Sequence, residues 1–136
     1  ALVSLAGSTW DEESLCQPGT PAVSVLVVHG TADDTVLYEG GIFESMDESE
    51  RYPGAVELSE RSAATAGCDP GVTTDLGTVD LIPALDGEET ERTGYQSGCD
   101  EGLEVELWTL REGSHIPFFS QDFADQALDW LFRQSR

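Results

Sequence analysis

"VSVLVVHGTADDTVLYEGG", Val23 to Gly41, is the stretch on which the reading of this chain turns. From Val25 to Val28 it is apolar, mostly β-branched and unbroken, the pattern of a central parallel strand covered on both faces. It stops at His29-Gly30 and then delivers two carboxylates, Asp33 and Asp34, just past the strand end. In open parallel sheets, sites form in the crevice beyond the carboxyl ends of the strands. A buried strand that runs out into an acid is therefore a candidate half of a site.

Working outward, "ALVSLAG" at the start reads as a short buried strand running into the Gly7-Ser8 turn, and "DEESLCQPGTPA" as a polar loop. Downstream, "YPGAVELSERSAATAGC" predicts a helix with Pro53 near its first turn, helix formers through Ala66, and Gly67 as the stop. The middle, from Asp69 to Cys99, is turn-rich with room for two short strands. Its acids do not follow a calcium-loop spacing. "LEVELWTL" alternates, with Leu103, Val105 and Leu107 on one side and Glu104, Glu106 and Trp108 on the other, which predicts a strand near a sheet edge. It runs into the loop "REGSHIP". In "SQDFADQALDWLFRQSR" the apolar residues fall at 123, 124, 127, 128, 131 and 132, a helical stripe that Ser120 or Asp122 can cap. Strands alternating with helices give an α/β order, and no internal repeat is present.

A chain of 136 residues is enough for one domain. No run approaches the ~20 apolar residues of a membrane helix, so no membrane partner is expected. The charge is extreme: 27 acidic residues against 6 basic ones, all arginine, for a net −21. Phosphate backbones are repelled by such a field, which excludes nucleic-acid binding as an expectation. Two readings of the acidity stay open, a solvated surface that keeps the protein in solution and adaptation to high salt. The opening on Ala1 within a strand pattern, without a basic leader, predicts a piece of something longer.

Three cysteines leave an odd one. Cys68 in "AGCDPG" and Cys99 in "QSGCDEG" both occupy turn-like settings. A bridge between them would contribute roughly 3–4 kcal/mol by closing the intervening loop, and would point to an exported protein. Free thiols or a soft metal site are the alternatives, though two histidines and no close cysteine pair give a metal little to build on. Cys16 is then free or paired outside the chain. Nothing in the sequence calls for a cofactor.

The ionisable groups at strand ends are Asp33 or Asp34 after the second strand and His115 after the last. An acid followed by a histidine, each on a post-strand loop, suits the order Ser, Asp, His of a hydrolase triad. The chemistry needs that division of labour. A carboxylate fixes the imidazole tautomer, and the imidazole takes a serine proton and returns it to the leaving group. Other readings exist for each residue. Asp33 can be a turn residue bonding its own backbone, and His115 a loop cap or core histidine. Asp34 is expected to face solvent, His29 to be held by local backbone groups, and Trp108 and Trp130 to be packing residues.

Taken together, "VLVVHGTADDTVLYEGG", "ATAGC", "DGEETERTGYQSGC" and "LEVELWTLREGSHIPFF…FADQALDWLF" resemble the C-terminal half of the polyhydroxybutyrate depolymerase and feruloyl esterase-like family. These are secreted α/β-hydrolases with a serine nucleophile. The resemblance implies that residues 1–136 form one partial α/β-hydrolase domain, a mostly parallel sheet flanked by helices and incomplete without its N-terminal half. It puts the family's acid on Asp33, its histidine on His115 and its cysteine pair on Cys68 and Cys99, in a secreted or periplasmic protein acting on a carboxylic ester. Two positions depart from the family: Ser114 stands where another glycine is usual, and Ile116-Pro117 where an aromatic-proline step is common.

The nucleophile is missing. No Gly-x-Ser-x-Gly occurs; "GYQSG" spaces its glycines wrongly and "AGSTW" has no second glycine in place. The serine and its oxyanion donors are expected outside this chain, which alone should not be an esterase. The first strand would then form an open sheet edge, covered by the N-terminal half or by a second copy. The alternative is a stand-alone, non-catalytic acidic binding or assembly module on the same fold.

Overall fold

The computed structural model describes residues 1–12, 14–42 and 51–134. The last two residues of the predicted terminal helix, 135 and 136, lie outside the described residues. The element order is β1 (Leu2–Leu5), β2 (Val25–Gly30), β3 (Gly40–Ile42), β4 (Arg51–Pro53), α1 (Ala55–Thr65), β5 (Thr74–Val79), β6 (Thr90–Tyr95), β7 (Val105–Leu110) and α2 (Gln121–Arg133). Five strands form one sheet in the order β1-β2-β7-β6-β5, and β3 and β4 make a separate antiparallel pair.

The sheet is mixed. β1, β2 and β7 run parallel, whereas β6 and β5 are antiparallel additions beyond β7. The expectation of a mostly parallel sheet therefore holds only for its first three strands. The turn-rich middle is the cause: "VDLIPALDGEETER" folds β5 back on β6, a connection too short for a parallel crossover. β2 is the central parallel strand that its composition predicts, with Leu26, Val27 and Val28 fully buried.

Each face of the sheet carries one helix. Val27, Val105, Leu107 and Tyr95 pack with Ala55, Ala63 and Ala66 of and just beyond α1. The small side chains on that helix face let its backbone approach the sheet closely. On the opposite face, Leu26, Val28, Trp108 and Leu110 pack against Trp130, with Phe123 and Leu131 of α2 alongside.

This second layer overturns the edge reading of β7. The strand is the middle one of five, and all six of its residues are buried. Glu106, expected on an open face, is 5% exposed. Its carboxylate accepts from Trp108 Nε1 at 2.8 Å and lies 3.5 Å from the Arg133 guanidinium of α2. A partnered carboxylate can be buried where a lone one cannot.

β1 lies at the sheet edge as expected, but its burial is corrected: the strand is half-buried, with Leu2 53% exposed. Pro53 ends β4 rather than starting α1, and Gly54 takes the cap position. Gly67, with φ +74°, stops that helix as expected. In α2 Ala127 and Trp130 are buried and Phe123 and Leu131 half-buried, so the predicted stripe holds at 123, 127 and 131, whereas Ala124, Leu128 and Phe132 are exposed. Ser120 occupies the N-cap position, but its hydroxyl makes no capping bond.

Cys68 and Cys99 form a disulfide that ties the end of α1 to the loop after β6. Backbone bonds from Asp69 N–H to Ser97 O and from Asp100 N–H to Ala66 O brace the same junction. The bridge is consistent with an extracellular or periplasmic location. Cys16 is free and exposed. Among the described residues no helix is long and apolar enough to cross a membrane.

Candidate functional site

The site is built by two strand ends brought level. In the β2–β7 register, Gly30 lies opposite Leu110, so the loops that follow both strands emerge side by side. They are knitted together by backbone: Thr31 N–H donates to Leu110 O at 2.9 Å and Ala32 N–H to Gly113 O at 2.9 Å. Glu112 N–H donates to the Thr31 hydroxyl at 2.9 Å, across 81 positions of sequence. The approach is so close that a Cβ at Gly30 would fall 2.1 Å from Gly113 O. Glycine is required there by contact and not by its dihedrals. Glu112 itself holds φ +57°, an uncommon state for a residue with a side chain, at the point where the loop turns toward His115.

Asp33 makes two separate sets of contacts. Its Oδ1 accepts the N–H groups of Thr35 and Val36, each at 2.9 Å, which is the local turn. Its Oδ2 faces His115 Nδ1 at 2.9 Å, across 82 residues of chain. The Asp33 side chain is fully buried and the His115 ring about one-third exposed, at 0% and 33%. Burial by itself would raise the Asp33 pKa. The hydrogen bond from His115 and the two backbone N–H groups outweigh it and hold the carboxyl below its ordinary value. Among the described residues nothing hydrogen-bonds to His115 Nε2, so that nitrogen is free to meet an incoming group. Asp34 is exposed, as expected.

A second histidine meets the same carboxylate. His29, 1% exposed, has its Nε2 2.7 Å from Val36 O and 3.2 Å from Asp33 Oδ2. Its contact with local backbone is as the sequence predicts; its contact with Asp33 is not. The four-residue spacing His29 to Asp33 was the available sign, since it spans a strand end and a tight turn. Tyr38 stands edge-on to the His29 ring, with centroids 5.9 Å apart, and its hydroxyl lies 2.9 Å from Thr109 Oγ1. Burial raises the Tyr38 pKa.

The surroundings are uneven. After His115 the chain exposes Ile116 and Phe118, the latter 85% exposed, and Leu37 is exposed past the Asp33 turn. On the other side an open cleft of about 650 Å³ is lined by Thr31, Asp86, Glu89, Arg111 and Glu112, with Ala84 and Leu85 as its apolar residues. Asp33 and His115 do not line it. Arg111 in its wall is engaged by Glu91 through two bonds of 2.8 and 2.7 Å. Among the described residues no group of three or more His, Cys, Asp or Glu is placed to hold a metal ion.

Trp108 and Trp130 are 2% and 1% exposed, packing residues as expected. Of the residues singled out from sequence, the fold thus unites Asp33 with His115, adds His29, and leaves Asp34 and both tryptophans apart. Compared with protein-family models, curated proteins and solved structures, the chain matches none.

Proposed function

We propose that this chain supplies the acid and the histidine of a Ser-His-Asp triad in a secreted serine hydrolase of carboxylic esters, on an α/β-hydrolase fold whose serine lies outside the 136 residues. The carrying observation is the 2.9 Å contact between a buried, ionised Asp33 and Nδ1 of a part-exposed His115, with Nε2 unengaged. The family resemblance of the surrounding motifs supports the choice of an ester as substrate, whether polyester, hydroxycinnamoyl or short acyl.

The roles follow from the geometry. Asp33 accepts from His115 Nδ1–H, so the lone pair sits on Nε2, facing outward. A serine hydroxyl placed against Nε2 gives up its proton as its oxygen attacks the ester carbonyl. The C–O π electrons move to the carbonyl oxygen, and the imidazolium is stabilised by Asp33. Collapse of the tetrahedral intermediate expels the alkoxide, which takes the proton from Nε2–H. Water repeats the sequence in reverse to release the acid and regenerate the serine.

The open edge of β1 fits the same proposal. Among the described residues β1 pairs only with β2, and an unpaired apolar edge is a template for another strand. We propose that the serine-bearing part, or a second copy, covers it. The second reading, a non-catalytic acidic module on the same fold, rests on the lack of a Gly-x-Ser-x-Gly motif in these 136 residues.

Intact mass spectrometry, native and denatured, after a fluorophosphonate probe separates the two. An adduct on a companion polypeptide held by this chain, abolished by H115N while the companion stays bound, supports the esterase. No companion and no adduct overturns it and leaves the module.

A further inference from the structure

His29 is buried, lies next to the end of β2 and has no part in the proton transfers just described. Its Nε2 is placed between two acceptors, Val36 O at 2.7 Å and Asp33 Oδ2 at 3.2 Å. With Asp33 ionised neither neighbour can donate, so Nε2 carries the ring proton; its hydrogen bond goes to Val36 O, with Asp33 Oδ2 beside it. Nδ1 is buried and has no hydrogen-bond partner among the described residues. A proton on Nδ1 would be a buried donor with nothing to accept it. Both nitrogens therefore select the Nε2–H tautomer.

Oδ1 of Asp33 takes two backbone N–H groups and Oδ2 takes the His115 Nδ1–H, with His29 Nε2 3.2 Å from Oδ2. Val36 links His29 to the carboxylate, because its N–H holds Oδ1 while its carbonyl accepts from His29 Nε2. We infer that His29 is a positioning residue for the Asp33–His115 pair: through Val36 it pins the turn from 33 to 36, and so holds Oδ2 where His115 Nδ1 meets it. Its catalytic meaning rests on the triad reading above; the positioning itself does not.

The test uses the 136-residue chain, labelled with nitrogen-15, and reads imidazole resonances directly. The expected result is an Nε2–H tautomer for His29 and a low-field Nδ1–H resonance for His115. H29F keeps an aromatic ring and removes the donor. It is expected to shift the His115 Nδ1–H resonance upfield and speed its exchange with water, while H29Q, whose amide N–H has similar reach, restores both. An Nδ1–H tautomer for His29 overturns the inference. So does an unchanged His115 resonance in H29F, even if that variant melts at a lower temperature, since lost packing alone would do that. Should H29F not fold, H29Q is compared with H29N, whose shorter amide cannot reach Val36 O. A resonance kept by H29Q and lost by H29N supports the role, and any other pattern overturns it. These resonances report hydrogen bonds whether or not fluorophosphonate labels a companion, so the two readings fail separately.

Discussion

Asp33 shows how one residue can be legible in kind and illegible in place. Its position past an apolar strand marks it as a turn residue or a candidate site acid, and only the fold shows that one oxygen holds the turn while the other meets His115. The pH dependence of stability tests this. A carboxyl whose folded pKa is depressed contributes stability above its unfolded pKa of about 3.9 and loses it as pH falls through the lower folded value. The difference in melting temperature between the native chain and D33N is therefore expected to be widest near neutral pH and to shrink below about pH 4. A difference that stays constant from pH 7 to pH 3 would sink the ionised assignment. Gly30 makes the complementary case. Its Cβ position lies 2.1 Å from a backbone oxygen, which no side-chain rotation can relieve. G30A is expected to cost about 3 kcal/mol or more in urea unfolding, at the upper end for overpacking. A loss under about 1 kcal/mol would show that the two loops part easily. The glycine is plain in the sequence; the oxygen it accommodates comes from Gly113, and no local pattern reveals it.

At the scale of elements, periodicity located α2 and placed half of its inward stripe, at Phe123, Ala127 and Leu131. Counting apolar positions puts Leu128 and Phe132 in the stripe, whereas they are 49% and 69% exposed. The helix is rotated so that Trp130 fills the hollow over Leu26, Val28 and Trp108. The largest side chain with a matching cavity wins over the count of smaller ones, because the free energy follows the area buried. W130A is accordingly expected to destabilise by about 3–5 kcal/mol in chemical denaturation. F132A is expected to stay within about 0.5 kcal/mol of the native chain. Equal effects from the two would return the stripe to its sequence-derived face. β7 errs in the same way. An alternating strand with two glutamates reads as an edge until the position of α2 is known, since the partners that make Glu106 buriable, Trp108 and Arg133, are set by tertiary packing.

For the whole molecule, the net charge of −21 must be held on a surface with six arginines. Self-repulsion opposes the compact state, and the screening length falls from about 10 Å at 0.1 M salt to about 3 Å at 1 M. The melting temperature is expected to climb steadily between those concentrations of sodium chloride; a flat or falling profile would remove charge repulsion as a determinant of stability. The sequence by itself determined the composition-level facts, the buried central strand β2, the two helices, and the candidacy of Cys68 with Cys99 and of Asp33 with His115, because each is written in residues close together or in a residue type with few uses. The tertiary structure alone decided that the sheet is mixed, that β7 is central, that α2 presents Trp130, and that His29 joins the carboxylate. Those outcomes depend on which strand ends come level and which faces are covered, contacts between residues 82 and more positions apart that no local periodicity can carry.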